Sequence, residues 1–160
     1  MVHSAVAIAN EFLKLSGKLL DQMKLQKLVY IAHGWKLALT GDPLVSDKVE
    51  AWDGGPVFRE IWDHIKYYGY DSQELQLLEP KSKTPVLSLN LSNDDREIIE
   101  HVWKKYGHYS GNDLSEMTHQ IGTPWYGAYR KGRNTIIQND EIRDHYIELA
   151  MAGRQGETQS

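Results

Sequence analysis

Asp21-Gln22-Met23-Lys24-Leu25-Gln26-Lys27-Leu28-Val29-Tyr30-Ile31-Ala32-His33-Gly34-Trp35-Lys36-Leu37-Ala38-Leu39 is the stretch that decides the fold. Leu25, Leu28, Ala32, Trp35 and Leu39 recur at helical spacing, and Met23, Tyr30, Ile31, Leu37 and Ala38 form a second stripe. A helix apolar on most of its circumference has neighbours on several sides, so this one is expected at the centre. Asp21 is the expected cap, and Gly41 with Pro43 the expected stop. Gly34 costs about 1 kcal/mol inside a helix relative to alanine. Close approach by another element and a tolerated glycine are both open readings of it. Lys24, Lys27 and Lys36 are expected to be exposed along this helix, as ordinary solvated charges or as contacts for an acidic partner.

Outward from this stretch, Ser4 caps an expected helix over residues 5–15, with Val6, Ala9, Phe12 and Leu13 as its apolar face. His3 lies before it, on the expected surface. Residues 49–52 suit a short strand, ended by Asp53-Gly54-Gly55-Pro56. Pro56 fits the first turn of the following helix, which carries Phe58, Ile61, Trp62 and Ile65 on one stripe. Residues 71–90 are the least legible; residues 86–91 alternate partially and are expected to pair with 49–52. Asn93 is read as the cap of a helix over 94–106, Ser110 as the cap of a short one over 111–119, and residues 125–129 as a turn or short helix. Asn139 caps a last helix over 140–151, with Ile142, Tyr146, Ile147 and Ala150 facing inward. The expected fold is mainly α, a compact helical domain around a central helix with a small two- or three-strand β element. Residues 1–151 form the domain, and 152–160 a polar, disordered tail.

Composition narrows the function. The 160 residues carry a net charge of −4, and no dense basic block argues for nucleic acid. There is no cysteine, so neither a disulfide framework nor a thiolate site is available. Glu11, Lys14 and Lys18 interrupt the N-terminal apolar run, so no signal peptide is expected. No segment approaches the roughly 18 to 20 apolar residues that span a membrane. A cytoplasmic protein without membrane contact is expected. His64, His101, His108, His119 and His145 are scattered and make no HExxH-like pair. Ser110 and Ser115 lack a nucleophile-elbow setting, and Gly54-Gly55 lacks the spacing and lysine of a phosphate loop. No catalytic residue, metal site or cofactor is therefore expected. Five tryptophans and nine tyrosines stand against two phenylalanines, a balance that suits half-buried edges and interfaces. Trp62, Tyr67, Tyr68, Tyr70, Trp125, Tyr126 and Tyr129 cannot all face a core, and the remainder point to a partner surface.

Three motifs, in order, carry a resemblance. They are residues 23–35 with their Lys24-Leu25-Gln26-Lys27-Leu28 start, Glu50-Ala51-Trp52-Asp53-Gly54-Gly55-Pro56-Val57, and Leu114-Ser115-Glu116-Met117-Thr118-His119 followed by Pro124-Trp125. Together they resemble the Panacea domain, the SocA-like or GepA-like family of phage and bacterial antitoxin-associated proteins. The resemblance covers about residues 6–149. It implies a mainly helical fold, an antitoxin that neutralises a cognate protein toxin by direct binding, and in some members an adaptor that delivers the toxin to an ATP-dependent protease. Self-association is a further partner expectation. The family motif and partner-binding residues are Lys24, Lys27, Trp35, Trp52, Gly54, Pro56, Thr118, His119, Trp125 and Tyr126. Of these, Trp52, Gly54, Pro56, His119 and Trp125 are expected to lie together, with His119 either a satisfied core histidine or a contact to the partner. The alternatives are a phage accessory interaction protein and a transcriptional regulator. In the regulator, the short helices mimic a helix-turn-helix, with Arg130, Lys131 and Arg133 on phosphates.

Overall fold

Residues 2–70 and 75–159 are described by the computed structural model. Residues 71–74 of the poorly legible segment, and Ser160 of the expected tail, lie outside the described residues. The elements are α1 (Ala5–Ser16), α2 (Gln22–Thr40), β1 (Val49–Trp52), β2 (Gly55–Phe58), α3 (Arg59–Tyr68), α4 (Asn93–Tyr106), α5 (Gly111–Thr118), α6 (Pro124–Tyr129), β3 (Thr135–Ile137) and α7 (Asn139–Gln159). The fold is mainly helical, with one antiparallel three-strand sheet in the order β2-β1-β3.

Helix α2 is the centre that its two stripes predict. The Asp21 carboxylate accepts the Lys24 N–H at 2.9 Å, and Gly41, at φ 80°, donates its N–H to the Leu37 carbonyl at 2.8 Å. These two caps set its length. From Leu25 to Gly34 every residue is buried, because α1, α3, α4, α5, α7 and β2 pack around it. Its last turn leaves this shell, and Leu39, read as part of the buried stripe, is 66% exposed.

Gly34 answers to a close approach. The Tyr146 ring of α7 lies so near that a Cβ on Gly34 would fall 2.3 Å from its Cε2. The same ring meets Trp35 edge-on at 5.1 Å and Tyr30 at 6.2 Å between centroids. Gly34→Ala is expected to destabilise the protein by about 1 to 3 kcal/mol, since overpacking outweighs the gain of about 1 kcal/mol in helix propensity. Urea denaturation checks this; a stabilised variant would mean that the Tyr146 ring moves aside freely.

Several expectations are corrected. Pro56 does not open a helix; it lies in β2, and α3 starts at Arg59. The two-residue turn Asp53-Gly54 folds the chain back as a hairpin, with Trp52 opposite Gly55. The Pro56 carbonyl faces away from β1, toward Lys27. The N–H that proline lacks would face that free edge as well, so no ladder bond is lost. Residues 86–91 are not the partner of β1; β3 is, with Val49 opposite Ile137. The Asn10 side chain of α1 instead holds residues 77 and 86. Its amide nitrogen donates to the carbonyls of Leu77 and Val86 at 2.8 and 2.9 Å, and its oxygen accepts the Leu77 N–H at 2.6 Å.

His3 is buried, because its backbone bridges to the Leu44–Ser46 segment at 3.0 and 2.9 Å. Ser92 rather than Asn93 caps α4, and Ile147 is 40% exposed. Helix α7 continues past Met151 to Gln159. Ala152, Arg154, Gln155 and Glu157 there are good helix formers.

Candidate functional site

The three sequence motifs converge on the β1–β2 hairpin. Every second carbonyl from Trp52 to Phe58 accepts a side-chain donor from a surrounding helix. The Trp125 indole Nε1 of α6 donates to Trp52 at 2.6 Å. The Ser115 hydroxyl of α5 donates to Gly54. The Lys27 ammonium of α2 donates to Pro56 at 2.9 Å. Gln26 holds Phe58 at both ends, accepting its N–H at 2.9 Å and donating to its carbonyl at 3.1 Å. Strand β2 is the sheet edge, and Lys27 and Gln26 occupy the Pro56 and Phe58 groups that another strand would otherwise take. Gly55, at φ 123°, lies against the Lys27 stem, where a Cβ would be 3.0 Å from Cε.

Two of the lysines expected on the surface are thus structural. Lys27 is 2% exposed, and Lys24 reaches the Gly107 carbonyl at 2.6 Å while lying over the Trp103 ring. Lys36, half-buried, pairs with the buried Asp95. Helix α2 is so enclosed that each of these three lysines takes a partner from a neighbouring element.

Among the described residues no carboxylate lies within ion-pair distance of Lys27, and burial pushes its ammonium down from 10.5 to about 8. Between those values the unfolded chain holds a proton at this position that the folded chain has released. Stability therefore rises with pH across the window from about 8 to 10.5, by up to about 3 kcal/mol from this group. Denaturation of wild type against Lys27→Met across that window isolates the effect. It cancels the buried phenols of Tyr30 and Tyr146, whose raised values act in the opposite direction above pH 10. Parallel pH curves for the two proteins would show that Lys27 is not protonated on unfolding.

The remaining predicted residues divide by place. His119, half-buried, lies edge-on to Trp125 at 5.2 Å, with its Nδ1 against the Ser115 carbonyl. Trp125 stacks on Tyr129 at 4.6 Å. Trp52, Gly54, Pro56, His119 and Trp125 therefore form one cluster. Thr118 is buried beside it, and its hydroxyl donates to the Leu114 and Ser115 carbonyls. Tyr126 lies under Arg130 at 5.6 Å. Trp35 is apart, packed between Tyr146 and Lys105 along a cleft of about 500 Å³ between α2 and α4. His33, fully buried, accepts the Val45 N–H on Nδ1 at 3.2 Å and meets the Asn139 side-chain oxygen on Nε2 at 2.9 Å, which requires the Nε2–H form.

The outer face of the hairpin is polar and aromatic. Asp53, at the turn, accepts the Tyr129 hydroxyl at 2.7 Å and the Arg133 guanidinium at 2.6 and 2.9 Å, and these bonds hold its carboxyl below the usual range. Glu50 takes both a bidentate pair from Arg59 and the Trp52 indole N–H. Burial opposes its ionisation, but these bonds outweigh it and lower its value. Trp52 lies between Arg59, at 5.2 Å, and Trp62, at 5.3 Å. Gln26 and Asp53 were missed in the sequence. A glutamine on a helix apolar almost all round was the available signal for Gln26.

Comparison with known proteins gives a consistent result. The family model described as antitoxin SocA-like, Panacea domain, matches residues 25–126. The chain is similar to antitoxin SocA of Caulobacter vibrioides (strain NA1000 / CB15N), with 32% identity over 131 residues, covering 76% of this chain and 68% of that protein. No solved structure matches.

Proposed function

This chain belongs to the antitoxin SocA-like, Panacea-domain family, and from that premise we propose that it neutralises a cognate protein toxin by direct binding at the hairpin face. The observation that carries the reading is the hairpin itself. A two-residue turn is held from behind by donors of three helices, while Trp52, Trp62, Arg59, Asp53 and Arg133 stand on its outer side. Rigid aromatic and arginine side chains supply contact area at low entropic cost. The protein acts without catalysis, in the cytoplasm, and as an adaptor where the toxin is passed to an ATP-dependent protease. No helix among the described residues is long and apolar enough to cross a membrane.

The test is expression of the neighbouring reading frame with and without this protein. Growth arrest relieved by a stoichiometric complex supports occlusion. Relief that depends on an ATP-dependent protease and on loss of the partner supports the adaptor. Absence of a toxic neighbour, together with sequence-specific DNA binding, would replace this reading with a regulator.

A further inference from the structure

Beside the hairpin lies a pocket of about 480 Å³, whose lining includes Gln22, Gln26, Lys27, Trp52, Trp62 and Arg133. Its charge is unbalanced by one. Arg133 is neutralised by Asp53 at 2.6 Å, and the neighbouring Arg59 by Glu50 at 3.0 Å. Among the described residues Lys27 has only the neutral Pro56 carbonyl, at 2.9 Å, and an ammonium has further hydrogens to donate. A buried cation without a counter-charge is costly, and a ligand that brings one carboxylate relieves that cost. A phosphate dianion would leave surplus negative charge next to Asp53. A second unmet need lies in the same lining. The Gln22 Oε1 is buried and has no hydrogen-bond partner among the described residues. It is an acceptor, so it calls for an N–H such as a peptide backbone offers. The Trp52 and Trp62 rings, edge to face, make an apolar wall, and Trp62 is 39% exposed at the mouth.

We propose that this pocket binds the carboxylate of an aspartate or glutamate side chain carried on an extended segment of a protein partner, with Lys27 as the counter-ion and Gln22 Oε1 as acceptor for the segment's backbone. The inference rests on the toxin-binding reading and names the chemistry that binding uses. The segment's aliphatic groups pack on Trp62, and the two arginines keep their present partners. A bound carboxylate also restores the Lys27 ammonium toward its ordinary range.

The test uses the full chain and two blocked tripeptides, acetyl-leucyl-glutamyl-leucinamide and its glutaminyl counterpart. Tryptophan fluorescence reports binding, and the NMR signal of the Lys27 Cε group reports contact. The glutamyl peptide is expected to bind about tenfold more tightly or better than the glutaminyl one, as a desolvated charge pair does. It is also expected to move the Lys27 signal and raise its titration midpoint. Lys27→Met removes the preference. Trp62→Ala, at the rim, weakens both peptides in a protein that still melts cooperatively. Equal binding of the two peptides, no saturable binding of either, an unmoved Lys27 signal, or tighter binding of inorganic phosphate would each overturn the proposal. These outcomes are independent of growth rescue. Rescue without the peptide preference removes the pocket and keeps the antitoxin; the preference without any toxic neighbour does the reverse.

Discussion

Gln26→Leu is expected to cost about 2 to 6 kcal/mol of folding stability, because it strands two backbone groups at about 1 to 3 kcal/mol each. The Phe58 N–H and carbonyl are bonded to one amide side chain, at 2.9 and 3.1 Å, and Gln26 is 2% exposed. Phe58 itself is fully buried, so water does not readily replace that amide. Leucine has a similar volume and introduces no void, which makes the loss a hydrogen-bond effect. Urea denaturation gives the magnitude, and hydrogen exchange at the Phe58 amide gives the location. A change below about 1 kcal/mol would place the Phe58 groups in contact with solvent.

Leu28→Ala is expected to destabilise by about 2 to 5 kcal/mol, the range for truncating a fully buried leucine. Leu28 has no exposed surface and lies midway along the enclosed part of α2. Elements pack around α2 on every side, so the cavity cannot close by moving one of them alone. Chemical denaturation measures the loss. Less than about 1 kcal/mol would mean that the neighbouring helices collapse onto the vacated space.

Much of this architecture was legible because local rules and tertiary demands coincide. Asp21 and Gly41 bound α2, and its two apolar stripes announced a helix with neighbours all round. The reading failed where a distant group decides a local conformation. Pro56 after two glycines satisfies the grammar of a helix start, yet Gln26 and Lys27, 32 and 29 residues before the groups they bond, capture carbonyls of the extended segment. The partner of β1 comes from Thr135–Ile137, a three-residue strand too short to show periodicity. Lys27 was read as surface because lysines seldom lie inside. The motifs indicated that Trp52, Gly54, Pro56, His119 and Trp125 belong together, and they do. Motif order could not reveal that the shared element is a hairpin whose alternate carbonyls are the points of attachment.

The family's motifs therefore read as braces for a surface. Lys24, Gln26, Lys27, Ser115 and Trp125 point inward and hold backbone, whereas Trp62, Arg59 and Arg133 face outward and are free of that duty. On this view, substitutions in the first set act through stability, with Lys27 acting on binding as well through the pocket it lines, and substitutions in the second act through binding.

Calorimetric titration of the purified toxin into wild type and into Trp62→Ala tests the claim most directly. A saturable complex with wild type is expected, and binding weaker by about tenfold or more with the variant, at an unchanged cooperative melt, as for an aromatic anchor near an interface centre. Equal affinity for the two proteins would contradict it, and would place the toxin on another face of the molecule.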